Sequence, residues 1–241
     1  ATRVIQDLNK KDLKVTIDYL GEFVDTVEEA NEMTDHCIEA IEAIGKNKLN
    51  SQLSLKMTSM GLDISDELVL GNMRRILEVA TKHNVFVTID MEDFTRCEKT
   101  IRIFKQLKSE YENIGTVIQA YLYRTENDIN DLNSLNPNLR LVKGAYKEPA
   151  EVAFPDKKDV DENFKKIIKM HLLNGNFTAI ASHDEAMIEY TKQLVKEHNI
   201  PNDQFEFQRL YGIRVERELE LINGRYNMRV FVPYGTACYG Y

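Results

Sequence analysis

Short runs of β-branched and apolar residues recur eight times along this chain, and that repetition limits the folds open to it. The runs lie near 13–19 (LKVTIDY), 51–57 (SQLSLKM), 85–90 (VFVTID), 116–122 (TVIQAYL), 138–143 (NLRLVK), 177–182 (FTAIAS), 203–209 (DQFEFQR) and 228–232 (MRVFV). The segments between them suit a crossover helix better than a hairpin, so the strands are expected to pair in parallel. Four stretches after these runs fit the [ST]xx[DE] helix-start signal: Thr26 to Glu29, Thr95 to Glu98, Thr125 to Asp128 and Ser182 to Glu185. Eight strands alternating with helices predict an α/β fold of the (β/α)8 TIM-barrel type, a single domain over residues 1–241. A doubly wound open sheet is the alternative, but its GxGxxG dinucleotide fingerprint is missing.

Bulk properties remove several classes of function. The net charge of −8, without a long basic cluster, leaves no nucleic-acid footprint. No apolar run approaches the roughly 18 residues of a bilayer span, and the N-terminal residues lack the shape of a signal peptide. Cys37, Cys97 and Cys238 have no CxxC spacing. They read as reduced thiols of a cytoplasmic protein, without a disulfide framework or a metal site.

In a barrel of this kind the active site lies at the C-terminal strand ends. Alternation sets Ser54 and Lys56 against Leu53, Leu55 and Met57, and Thr88 and Asp90 against Val87 and Ile89. Gln119 and Glu206 stand in the same relation to their own strands, and Thr16 and Asp18 to theirs. Lys56, Asp90, Gln119, Arg140 and Glu206 are therefore expected to line one mouth, either as a site or as charges paired in a buried network. Arg140 and Lys143 bracket the apolar Leu141-Val142 pair, and they can serve one ligand only if the strand ends near Val142 and turns at Gly144. Such a turn also lets backbone amides approach a phosphate. His183 follows strand six at the start of a helix, where Ser182 caps the helix or His183 donates to an anion.

The motifs "VTIDYLGE", "SLKMTSMGL", "TIDMED", "VIQAYLYRT", "RLVKGAYKEP", "ASHDEA", "FEFQRLYGIR" and "RVFVPYG" occur in that order, one per strand. Together they resemble the proline dehydrogenase family, specifically its monofunctional bacterial members, from about Val15 to Tyr241. The resemblance implies a distorted (β/α)8 barrel holding FAD. It also implies oxidation of L-proline to 1-pyrroline-5-carboxylate, the first step of proline catabolism, with hydride transfer to flavin N5. A membrane quinone would accept the electrons, in a cytoplasmic protein with peripheral contact at the inner face of the membrane. Carried over by position, Arg140 would reach flavin N5 and Gln119 the pyrimidine edge of the ring. Met91, Lys143, Gly144, Ala145, Ser182 and His183 would also hold the cofactor. Lys56 would bind the proline carboxylate, Asp90 would organise the polar floor of the pocket, and Tyr146 would pack beside the substrate. Glu22 resembles the family's gating acid.

The sequence departs from the family pattern in places. Family members continue after "YGxxxxxY" into an "RRxxER" segment whose arginines clamp the substrate carboxylate. This sequence ends at Tyr241 ahead of it, so the expectation is an eighth helix cut short and an open carboxylate side. Phe231 stands where many relatives have Tyr, Lys147 where some have Trp, Arg209 where an apolar residue is usual, and Cys238 where an aromatic is common. Two rival readings follow: a Schiff-base aldolase using Lys56 or Lys143, and a flavin-binding barrel without turnover.

Overall fold

The computed structural model describes residues 1–21, 23–213 and 215–235. Glu22, Cys238 and the stretch after the last strand lie outside the described residues, so the expectations for the gating acid and the shortened eighth helix fall there. The eight strands are β1 Lys14–Tyr19, β2 Ser51–Leu55, β3 Val87–Ile89, β4 Ile114–Gln119, β5 Leu139–Val142, β6 Thr178–Ala181, β7 Phe205–Leu210 and β8 Met228–Tyr234. They are hydrogen-bonded in chain order into a closed barrel, as expected. Helices alternate with them: α1 Thr2–Asn9, α2 Val27–Lys46, α3 Asp66–Lys82, α4 Phe94–Glu110, α5 Thr125–Leu132, α6 Lys157–Leu173, α7 Glu185–Glu197 and α8 Val215–Asn223. No helix among the described residues is long and apolar enough to cross a membrane.

Two compact units divide the chain: residues 1–90, 99–115 and 230–241 form the first, residues 91–98 and 116–229 the second. In the first, β1 pairs in parallel with β2 (Asp18 opposite Ser54) and β2 with β3 (Leu55 opposite Ile89). Helix α3 buries Val69, Met73, Ile76, Leu77 and Ala80, an apolar stripe at helical spacing. Helix α1 was not foreseen. It is short, buries Ile5 and Leu8, and ends on Asn9, whose side chain bonds the Leu13 carbonyl and both backbone groups of Asn50.

In the second unit β4 pairs with β5 (Gln119 opposite Val142), β5 with β6 (Arg140 opposite Ala179) and β6 with β7 (Ala179 opposite Glu206). Strand β4 begins at Ile114 and stops at Gln119, earlier than expected, because the chain turns there. The Thr125 hydroxyl bonds the Gln119 and Leu122 carbonyls and closes that turn. Strand β2 likewise stops at Leu55, and Met57–Met60 form a 3-10 turn ended by Gly61 at φ 99.

Only one of the four expected helix-start boxes forms. Thr26 accepts from the Glu29 amide while the Glu29 carboxylate accepts from Thr26. At α4 the cap is Asp93, which accepts from the Thr95 amide. At α5, Arg124 occupies the cap position and Thr125 is already helical. At α7 the cap is Asp184, accepting from the Ala186 amide, and Ser182 instead accepts from the Asp184 amide. His183 therefore precedes the helix. At α4 and α7 a nearby carboxylate takes a terminal amide, and at α5 no side chain caps the helix.

Candidate active site

Polar strand-end residues gather in each unit. In the first, Asp18 is buried near the end of β1 and Lys56 directly follows β2. Lys56 Nζ donates to Asp18 Oδ2 at 3.2 Å and stands 3.7 Å from Asp90 Oδ2. The Ser54 hydroxyl donates to Asp90 Oδ1 at 2.6 Å, and the Asp90 amide bonds the Leu55 carbonyl. The expected pair Lys56 and Asp90 is thus assembled, with Asp18 as a second carboxylate. An amine between two carboxylates is poorly placed to act as a neutral nucleophile, so these surroundings speak against an aldolase built on Lys56. They suit an oriented cation for an anionic substrate group.

In the second unit Gln119 is buried at the end of β4. Its Nε2 reaches the Met91 carbonyl at 3.3 Å and the Glu92 carbonyl at 3.2 Å, fixing the segment after β3. Its Oε1 is buried and has no hydrogen-bond partner. Arg140 is buried within β5, and that strand ends at Val142, meeting the condition for a turn at Gly144. Gly144 adopts φ 125, and a Cβ there would lie 2.3 Å from the Tyr121 ring. Only glycine fits this step. Ala145 is exposed and Tyr146 half-buried. Beyond the turn the chain returns over residues 121–123, where the Phe154 amide bonds the Tyr121 carbonyl and the Tyr123 amide the Val152 carbonyl. Burial pushes the Tyr121 phenol up to about 12.

The negative charge beside Lys143 belongs to the protein. Its Nζ bonds Asp161 Oδ1 on α6 at 2.5 Å and Asp184 Oδ2 at 2.6 Å. The bond from Lys143 holds the Asp184 carboxyl below the usual range, with burial opposing. Burial works to raise Asp161, but bonds from Lys143 and Lys157 outweigh it and leave it low. His183 accepts from the Leu210 amide at Nε2, 3.4 Å away, and lies on the β6–α7 turn with Ser182.

Glu206, expected at a strand end, is taken by Arg229 on β8. Arg229 Nε lies 2.6 Å from Glu206 Oε1 and Nη2 3.3 Å from Oε2, while Gln208 Nε2 also donates to Oε1. For this residue the buried-network reading holds. Sequence reasoning missed Arg229, Asp161, Asp184 and Glu148, which accepts from the Phe94 amide at 2.7 Å. Arg229 had a visible signal, a cation inside an otherwise apolar strand. Asp161 had none, since a helical Asp is ordinary.

The proline dehydrogenase family model matches residues 1–239. Over 98% of its length the chain is 61% identical to proline dehydrogenase 2 of Bacillus subtilis subsp. natto, covering 78% of that relative. It is 42% identical over its full length to the proline dehydrogenase of Deinococcus radiodurans, covering 79% of it. Among solved structures it resembles proline utilization A (PutA) from Bdellovibrio bacteriovorus, inactivated by N-propargylglycine, with a TM-score of 0.90 and 25% identity. That match covers 98% of this chain and 29% of the longer PutA chain.

Proposed function

The chain belongs to the proline dehydrogenase family, which makes it an oxidoreductase of proline catabolism, and from that premise we propose an FAD enzyme that converts L-proline to 1-pyrroline-5-carboxylate. Bound to the protein, FAD would supply a two-electron acceptor at N5 for the hydride of the ring carbon beside the proline nitrogen, with a membrane quinone as the final electron acceptor. We place the protein in the cytoplasm, with peripheral contact at the inner face of the membrane.

The observation that carries the cofactor reading is Gln119. Its amide nitrogen is engaged by two carbonyls, and its buried Oε1 has no partner. A buried acceptor left unpaired costs about 1–3 kcal/mol. An imide N–H, such as the pyrimidine edge of a flavin carries, is its complement. Met91, held through its carbonyl by Gln119, packs against the ring. Arg140 supplies positive charge where negative charge develops. The exposed backbone at Gly144 and Ala145 holds the phosphate side, Ser182 and His183 bind further along, and Lys143 reaches the cofactor by exchanging one of its bonds to Asp161 and Asp184.

On the substrate side, Lys56 is the cation for the proline carboxylate, and Asp18 and Asp90 keep it oriented. Tyr146 packs beside the proline ring. Proline must lose its ammonium proton before hydride leaves, and solvent can accept it. The protein's main contribution is to orient the two reactants.

The test is a visible spectrum of the purified protein without oxygen, before and after L-proline. A yellow flavin that bleaches supports the proposal, whereas yellow without bleaching favours binding without turnover. Protein that stays colourless with added FAD sinks the flavin reading. Gln119→Leu should weaken FAD binding about tenfold, in line with one lost hydrogen bond in a buried site. Unchanged affinity would remove the argument drawn from Gln119.

A further inference from the structure

Packing alone does not explain Arg209. It shares a face of β7 with Phe205 and Phe207, both buried, and is itself only 2% exposed. An apolar side chain would suit that position. Its Nη2 lies 2.8 Å from Glu185 Oε1, while Nε and Nη1 are buried and make no hydrogen bond. Glu218 on α8, also buried, is pushed up by burial, with Arg209 the opposing influence. A buried guanidinium with a single bonded nitrogen recovers little of its desolvation cost, so as a stabilising element it is a poor choice. A local rule broken in this way is often found beside a functional site.

Glu185, which Arg209 engages, opens α7 and also accepts from Arg217 Nε at 2.9 Å. The three residues before it are engaged as well. Ser182 accepts from the Asp184 amide, His183 from the Leu210 amide, and Asp184 from Lys143. Two consecutive residues at the end of β7, Arg209 and Leu210, therefore grip the β6–α7 turn on either side of Asp184. Burial works against the Glu185 carboxylate, but the bonds from Arg209 and Arg217 prevail and keep it low.

We propose that Arg209 and Glu185 are a positioning pair: the buried arginine fixes the start of α7 and, through it, sets His183 in the place from which it binds the cofactor. This inference rests on the flavin reading above. Neither residue touches the cofactor in this account. Their effect reaches it only through the β6–α7 turn.

The experiment is FAD titration, followed by flavin fluorescence, of four full-length proteins: wild type, Arg209→Met, His183→Ala and the double variant. One lost hydrogen bond predicts about tenfold weaker binding for His183→Ala. Arg209→Met should weaken binding by a similar factor, and the double variant should be no worse than His183→Ala alone. Residues that act through one another are not additive. Arg209→Lys, which keeps the charge, should recover most of the loss, an outcome that simple repacking does not predict. If Arg209→Met does not fold, Glu185→Gln makes the same test by removing the charge at nearly constant shape. Wild-type affinity in Arg209→Met, or a double variant weakened by the product of the two single effects, overturns the proposal. If His183→Ala alone binds FAD as wild type does, the cofactor role of His183 fails, and that result is distinct from a failure of the pair.

Discussion

Replacing Glu206 by Gln should be among the most destabilising single changes in the second unit. The Glu206 and Arg229 side chains are 2% and 5% exposed, and two of the three guanidinium nitrogens engage the two carboxylate oxygens. Opposite charges about 4 Å apart, at an effective dielectric of about 20, attract by about 4 kcal/mol. Glutamine keeps an acceptor for Gln208 and nearly the same volume, so the loss isolates the charge. Removing one partner of a buried pair costs about 3–5 kcal/mol, because the other charge stays buried uncompensated. Urea unfolding of a protein this size should show the midpoint falling by about 1 M. The double variant Glu206→Leu with Arg229→Met removes both charges and should recover most of that loss. A Glu206→Gln protein within about 1 kcal/mol of wild type, or a double variant whose loss equals the sum of the single losses, would refute the reasoning.

Burial lowers the His171 ring to about 4 from its ordinary 6.5, against the opposing pull of the Pro137 carbonyl. The unfolded chain therefore binds the proton more readily between these values. The stability involved is complete above about pH 6.5 and is lost as pH falls toward 4, by about 3 kcal/mol. His171→Gln should lack that part of the acid sensitivity, and parallel pH–stability curves for the two proteins would contradict this. Gly144→Ala forces a Cβ against the Tyr121 ring at φ 125; it should cost about 2 kcal/mol or more, and a variant that melts like wild type would show the turn to be forgiving. Thr26→Ala opens the one capping box that forms. It should cost about 1 kcal/mol, seen as a fall in Tm of about 2–4 °C, and no shift would mean that solvent serves the freed amide equally well.

The (β/α)8 order was legible because each strand carries its own local signal. β-branched runs such as VTI in β3 and KVTI in β1 suit a pleated, buried surface, whatever lies beside them. Family membership was legible for a similar reason, since eight ordered motifs are a property of the string of letters alone. Helix starts were read less well. Ser182 and Thr95 have capping chemistry, but Asp184 and Asp93 take the cap positions beside them, Thr125 lies already inside its helix, and spacing alone does not rank these choices.

The sequence by itself determined the number and order of strands, the residue types at their ends and the glycine at position 144. Only the tertiary structure decided which charges meet. Lys143 is claimed by Asp161 from α6 and Asp184 from α7, and Glu206 by Arg229 on β8. Gln119 spends its nitrogen on two carbonyls and keeps its oxygen unpaired. Hydrogen bonds and ion pairs act over a few ångströms, and the partners here stand up to 41 residues apart in the chain. Periodicity within a strand shows which face a side chain takes, but its partner is set by how distant segments fold back on one another.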